Sequence, residues 1–92
     1  MKVKVFGSLR AVVGDRKEIE LALGEDGRVV DALQALATLH PELRPKLFDE
    51  RGELGGGVHV LVNGRSIRFL QGPQTRLKLD DVLALFPPLG GG

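Results

Sequence analysis

Alternating polar and apolar residues open the chain and predict its first two strands. In the segment KVKVF, two lysines alternate with Val3 and Val5, which is the two-residue period of a strand with one face in a core. After a turn signal at Gly14-Asp15, the segment KEIELAL shows the same alternation. The two segments therefore predict an antiparallel hairpin at the start of the chain.

A helical period follows this hairpin. One face of the predicted helix carries Val29, Ala32, Leu33, Leu36 and His40. Pro41 ends the helix, because a residue before proline is driven out of helical angles. His40 is interpreted as a half-buried structural histidine. From Pro41 to Gly57 the pattern is irregular, and we expect the apolar residues of this loop to hold it on the core. They are Leu43, Leu47 and Phe48.

The second half of the chain predicts three more strands. VHVLV alternates again, Asn63-Gly64 is the signature of a tight hairpin turn, and VLALF at 82–86 forms a final strand. One helix across one face of a small mixed sheet is the economical packing for this order, with the last strand beside the first and parallel to it. The prediction is an α+β fold, the ubiquitin-like β-grasp, with about five strands. Its domain spans 1–86, and an extended arm spans 87–92.

Composition excludes several classes of function. The 92 residues make one domain, and a net charge of +1 disfavours a nucleic-acid binder. Without cysteine there are no disulfides, thiolate metal sites or cysteine nucleophile. No segment approaches the roughly 20 apolar residues that cross a membrane, so a cytoplasmic protein is expected. No metalloprotease motif, nucleophile elbow or phosphate loop is present. We therefore expect no metal and no cofactor bound by this chain.

The end of the chain, FPPLGGG, carries the most specific chemistry. Pro87 and Pro88 remove two backbone donors and hold the chain extended. Glycines without Cβ atoms pass through a slot too narrow for other residues, and the segment after Phe86 can reach about 20 Å. These residues predict an arm that delivers the carboxylate of Gly92 into another protein's active site. The arm itself is Pro87, Pro88, Leu89, Gly90 and Gly91.

A docking surface is predicted at the root of this arm. Strand alternation turns five residues away from the helix, namely Phe6, His59, Leu61, Ala84 and Phe86. A single exposed apolar residue is no evidence for an interaction site, but several on adjacent strands indicate one. Arg10 lies in the segment FGSLR, which resembles a known protein family, and through that resemblance it is expected to add a polar contact at the rim. The docking set is therefore Phe6, Arg10, His59, Leu61 and Phe86.

Four segments together carry a family resemblance. They are FGSLR at 6–10, the helix start VVDAL, VNG at 62–64 and LKLDDVLALFPPLGGG at the end. The chain resembles the ubiquitin-like sulfur carriers (MoaD/ThiS type), and most closely the small subunit of molybdopterin synthase.

The resemblance implies a mechanism and partners. An E1-like enzyme, using ATP and magnesium, would adenylate Gly92, and sulfur would then replace an oxygen to give a thiocarboxylate. The large subunit of molybdopterin synthase would receive the tail, in a heterotetramer, and transfer the sulfur to precursor Z in molybdenum cofactor biosynthesis. The chain would donate sulfur without being a catalyst alone.

Two alternatives stay open. In the first, the same C-terminus is joined to lysine as a ubiquitin-like protein modifier, or serves tRNA thiolation. In the second, the chain is a plain interaction domain with an inert tail. Conjugates on a denaturing gel would favour the modifier, and a neighbouring gene for the large synthase subunit would favour the sulfur carrier.

Overall fold

The computed structural model describes residues 1–24, 26–55 and 57–88 of the chain, and within them five strands form one mixed sheet. The strands are β1 (Lys2–Val5), β2 (Glu18–Glu20), β3 (His59–Val62), β4 (Arg65–Ser66) and β5 (Val82–Phe86). Two α-helices, α1 (Val29–Leu39) and α2 (Arg44–Leu47), complete the regular structure together with short 3₁₀ segments. Neither described helix is long and apolar enough to span a membrane.

The last strand lies in the middle of the sheet. The spatial order is β2-β1-β5-β3-β4, so β5 is inserted between β1 and β3. It runs parallel to β1, with Lys2 opposite Val82 and Val5 opposite Leu85, and antiparallel to β3. The first two strands form the predicted antiparallel pair. The predicted position and direction of the final strand are therefore confirmed.

One face of the sheet and one face of α1 enclose the core. The helix contributes Ala32, Leu33 and Leu36, none of which is exposed to solvent. Burying such side chains removes apolar surface from water and is the main stabilising contribution to the fold. The strand residues that alternate with the outward-facing ones are all buried; they are Val3, Val5, Val60, Val62, Leu83 and Leu85.

The region between 41 and 47 differs from its prediction. Instead of an irregular loop, it forms a 3₁₀ turn at Pro41–Leu43 followed directly by α2. Each of the two turns has a proline in its first positions, where the missing N–H and the fixed φ of proline suit a helix start. The expected anchors Leu43, Leu47 and Phe48 are buried as predicted.

A 3₁₀ segment at Gly7–Val13, between β1 and β2, was also not predicted. It buries Leu9 and Val13 and brings the chain back beside the end of β1. A similar turn shortens β4, because the Ser66 hydroxyl accepts a hydrogen bond from the Arg68 N–H at 3.2 Å. The chain then continues as a 3₁₀ segment, Ile67–Phe69.

The Asn63-Gly64 turn also fixes the start of β5. Both residues have positive φ, 50° and 84°, as the predicted hairpin turn requires. The Asn63 side-chain oxygen accepts a hydrogen bond from the Val82 N–H at 2.9 Å, and its amide nitrogen donates to Asp81 Oδ1 at 2.8 Å. These bonds hold the start of β5 against the end of β3 and so support the register between the two strands.

Candidate functional site

A largely apolar groove lies on the face of the sheet that points away from α1. Its volume is about 500 Å³. It is lined by Phe6, Gly7, His59, Leu61, Ser66, Phe86, Pro87 and Pro88, and we call it the outer groove. The strand register brings these residues together, since His59 lies opposite Phe86 and Leu61 opposite Ala84. Four of the five residues predicted for docking line the groove; the fifth, Arg10, lies beside it.

Two stacked phenylalanines form one wall of the outer groove. The rings of Phe6 and Phe86 are almost parallel, at 3°, with their centroids 4.3 Å apart. The pair continues the parallel register of β1 and β5 by one residue, and the Phe6 N–H donates to the Leu85 carbonyl oxygen at 3.0 Å. Such aromatic pairs contribute about 0.5–1.5 kcal/mol beyond their buried area. The wall is therefore held in place before any partner arrives.

Arg10 is fixed beside this stack by two contacts. Its Nε donates to the Val5 carbonyl oxygen at 2.9 Å, and its guanidinium carbon lies 5.7 Å from the centroid of the Phe6 ring. The ion pairs formed within residues 1–24, 26–55 and 57–88 involve other groups, and none includes Arg10. A guanidinium held in this way presents a positive charge in a fixed position next to the outer groove.

The outer groove ends at the root of the tail. Pro87 and Pro88 follow β5 directly, are half-buried and belong to the groove lining. The remaining residues predicted to act in the tail, Leu89, Gly90, Gly91 and Gly92, lie outside the described residues. The last described residues of the chain are therefore part of the outer groove.

The described side chains at the outer groove offer mainly apolar and aromatic contacts. No group of three or more potential metal ligands occurs among them. His59 is half-buried in the outer groove, whereas the half-buried His40 lies elsewhere, beside Ala11 and Pro41. The arrangement can recognise a partner through apolar, aromatic and cationic contacts.

The sequence-based prediction missed two glycines at this site. Gly7 lies next to the Pro87 ring, and Gly57 lies next to Pro88. Gly7 lies next to Pro87 because the register of β1 and β5 continues beyond the strands, and the sequence alone does not give that register. Gly57 ends the segment 41–57 that is predicted to be irregular, and no local pattern indicates its neighbour.

A mixed five-stranded sheet crossed by one helix is the ubiquitin-like β-grasp, so the predicted fold is confirmed. The model of the ThiS family matches residues 3–92. The chain belongs to the ThiS family, and the resemblance to the ubiquitin-like sulfur carriers is confirmed.

Individual relatives span the whole chain. Small archaeal modifier protein 1 of Haloferax volcanii is 39% identical over 92 residues, which cover 100% of both chains. Its crystal structure matches with a TM-score of 0.86 and 35% identity, over 99% of this chain and 97% of that one.

Two solved structures with other names are also similar. A putative molybdopterin converting factor, subunit 1, from Pyrococcus furiosus has a TM-score of 0.76 and 32% identity, over 96% of this chain and 95% of that one. A chain of the BexX/CysO complex of Amycolatopsis orientalis has a TM-score of 0.81 and 27% identity, over 99% and 98% of the two chains. The fold is thus shared by chains named as modifiers and as subunits of larger assemblies.

Proposed function

We propose that this chain is a ubiquitin-like protein modifier whose Gly92 carboxylate is adenylated by an E1-like enzyme and then joined to lysine side chains of other proteins. The full-length similarity to a small archaeal modifier protein supports this function over the others. The observation that carries it is the position of the preformed outer groove, which ends at Pro87 and Pro88, four residues before the terminal glycine.

The chemistry proposed for Gly92 consists of two steps, adenylation and transfer to lysine. A carboxylate oxygen attacks the α-phosphorus of ATP, pyrophosphate leaves, and an acyl adenylate forms. The amine of a lysine then attacks the acyl carbon and loses a proton, and AMP leaves with the electrons of the broken bond. A free carboxylate is a poor acyl donor, so activation must precede transfer. ATP and magnesium belong to the activating enzyme in this proposal.

In this proposal the body of the chain docks on the activating enzyme before Gly92 reacts. The activating enzyme binds the outer groove through Phe6, Leu61 and Phe86, with Arg10 at its rim, and so holds the body of the carrier. The tail, from Leu89 to Gly92, then enters the active site as a segment tethered to a fixed surface. Tethering replaces a bimolecular encounter between the carboxylate and ATP with a step inside the complex.

The second candidate function is sulfur transfer, and the similarity to the Pyrococcus furiosus converting factor subunit favours it. In this pathway hydrosulfide attacks the acyl adenylate in place of lysine, AMP leaves, and a thiocarboxylate forms at Gly92 with release of a proton. The large subunit of molybdopterin synthase would then be the partner that receives the tail. Both candidates share the adenylation step and differ only in the nucleophile.

The test is intact mass spectrometry after incubation with the E1-like enzyme encoded in the same genome, ATP and magnesium. With sulfide present, a thiocarboxylate gains the mass difference between sulfur and oxygen. With cell extract present, a modifier gives conjugates on a denaturing gel, and peptide mapping places Gly92 on lysine. We expect conjugates, and thiocarboxylate without conjugates would favour the second candidate.

Two variants test whether Gly92 is the reacting group. Deleting Gly92, or adding one residue after it, is expected to abolish pyrophosphate exchange and leave the melting temperature unchanged. Activation of the extended chain without trimming would contradict the proposal, because the reacting carboxylate would then not need to be that of Gly92.

A further inference from the structure

Gly7 lies against the ring of Pro87 at the root of the tail. The register of β1 and β5 continues past both strands, so that Phe6 lies beside Phe86 and Gly7 beside Pro87. A Cβ atom on Gly7 would lie 2.9 Å from Pro87 Cγ and 3.2 Å from Pro87 Cδ. These distances are too short for carbon atoms, whose favourable separation is about 3.5–4.0 Å. The proline ring therefore occupies the space that any side chain at position 7 would need.

A second glycine supports the next proline less tightly. A Cβ atom on Gly57 would lie 3.5 Å from Pro88 Cβ and 3.6 Å from Pro88 Cγ, which is ordinary contact. Both glycines also have left-handed backbone angles, with φ of +60° at Gly7 and +82° at Gly57. The two prolines thus lie against two bare stretches of backbone, which we call the proline seat (Gly7 and Gly57).

We propose that Gly7 is a positioning residue for the chemistry at Gly92. The ring of Pro87 is bonded to its own backbone nitrogen, so the ring cannot move without moving the chain. By leaving room for this ring, Gly7 fixes the direction in which the chain leaves β5. Gly57 supports Pro88 and has the smaller effect. This inference rests on the proposed activation of Gly92.

It follows that docking of the carrier body and alignment of its C-terminal end depend mainly on different residues. The outer groove determines how tightly the body of the carrier docks, and the proline seat determines where its end arrives. A misplacement of about 1 Å remote from the reacting atoms can lower a rate by as much as 100-fold. Gly7 also lines the outer groove, so a variant of Gly7 is expected to raise KM for the carrier somewhat and to lower kcat for adenylation by a larger factor.

The chain contains a matched control for this test. Gly14 also has a left-handed φ, +69°, but a Cβ atom there has nothing within 4 Å. Gly7→Ala and Gly14→Ala thus both place a side chain at a left-handed φ, and only the first creates the contact with Pro87. Gly57→Ala and Gly52→Ala form a second pair, because Gly52 has φ of +80° and open space.

The experiment measures ATP–pyrophosphate exchange by the E1-like enzyme as a function of carrier concentration, together with the melting temperature of each variant. We expect kcat for Gly7→Ala to be about tenfold to 100-fold lower than for Gly14→Ala at a similar loss of melting temperature. Gly57→Ala should differ much less from Gly52→Ala. Equal kcat and KM for Gly7→Ala and Gly14→Ala would overturn the inference while leaving the proposed function intact.

A double variant separates a contact with Pro87 from a general effect of Gly7. Pro87→Ala removes the ring atoms, so on that background Gly7→Ala should lower kcat no more than Gly14→Ala does. A persistent difference would overturn the inference. If Gly7→Ala alone does not fold, the Pro87→Ala background still provides a test. Recovery of folding in the double variant supports the contact between position 7 and Pro87, and failure to recover contradicts it.

Nuclear Overhauser contacts between position 7 and the Pro87 ring provide a reading that needs no enzyme. They should be strong in wild type and in Gly14→Ala, and weakened in Gly7→Ala. If wild type shows these contacts and yet gives no pyrophosphate exchange, the proposed function fails and the inference fails with it. Unchanged contacts in Gly7→Ala would overturn the inference alone.

Discussion

The two faces of the sheet are made by the same strands and yet serve different purposes. On β5, Leu83 and Leu85 are completely buried against the helix side, whereas Ala84 and Phe86 are half-exposed on the outer face. The inner face is covered by the helix of the same chain. The outer face keeps an aromatic stack, a fixed arginine and a groove in contact with solvent. Alternate residues of one strand thus contribute to the core and to the proposed docking surface.

This assignment means that adjacent residues should respond differently to the same substitution. Truncation on the inner face leaves a cavity in a packed core, which costs stability. Truncation on the outer face removes a contact proposed to form with a partner, which costs affinity, and at Phe86 it also removes the stack with Phe6. Neighbouring positions on β5 therefore allow the two effects to be compared within one short segment.

The largest expected effect is on the inner face. Leu85→Ala should lower the free energy of unfolding by about 2–5 kcal/mol, because Leu85 is 0% exposed in the core. Urea denaturation measures this loss. Leu79→Ala is the control, since that leucine is 69% exposed and should change stability by less than about 0.5 kcal/mol. Similar losses in both variants would mean that burial does not distinguish these positions.

The next effect belongs to the residue that follows Leu85 on the outer face. Phe86→Ala should weaken binding to the E1-like enzyme by about 2 kcal/mol, as expected for a central aromatic contact. Stability should fall by about 0.5–1.5 kcal/mol as the stack with Phe6 is lost. Calorimetric titration provides the affinity. Leu61→Ala is expected to cost more than about 1 kcal/mol of affinity.

Phe69→Ala is the matched control for Phe86→Ala. Phe69 is 79% exposed and does not line the outer groove, so its truncation should leave affinity unchanged. Wild-type affinity in Phe86→Ala and Leu61→Ala would show that the outer groove is not the interface.

A smaller effect is expected at Arg10. Arg10→Lys keeps the charge but removes the planar group that bonds the Val5 carbonyl and lies by the Phe6 ring. We expect a loss of about 0.5–1 kcal/mol in affinity for the E1-like enzyme, measured by the same titration. Arg16→Lys, at an exposed position, should have no effect. Full affinity in Arg10→Lys would reduce the role of Arg10 to its charge alone.

The smallest effect is expected at His40. His40→Gln should leave pyrophosphate exchange and affinity at the wild-type level, because His40 lies outside the outer groove. His59→Gln provides the contrast, since His59 lines the groove and its loss should weaken docking. A strong loss of exchange in His40→Gln with normal stability would identify a functional histidine outside the proposed site.

Strand alternation was enough to predict both faces of the sheet. The period of two ties each buried valine of β1 and β3 to a neighbour on the outer face, so one correct strand assigns both sets. The prediction of an irregular loop at 41–47 was wrong, because helical turns of three or four residues are too short to show a period. Arg10 could be proposed from the family resemblance, but its hydrogen bond to Val5 depends on the 3₁₀ segment that the pattern does not reveal.

The proline seat shows a second limit of sequence reasoning. Gly7 and Pro87 stand at opposite ends of the chain, and their contact depends on the register of two strands that only the folded sheet brings together. The chemistry of the tail is the reverse case. Leu89 to Gly92 lie outside the described residues, so their role is a prediction from residue types and from the surface that precedes them.

The central position of β5 has a consequence for how the protein is made. Within the described residues β5 is the last strand in chain order, and it is also the strand that joins β1 to β3. The sheet therefore cannot close until β5 has been synthesised, however early β1 and β3 are available. A chain shortened by this strand would leave β1 and β3 without their common neighbour, so it would lose the inner and the outer face of the sheet together.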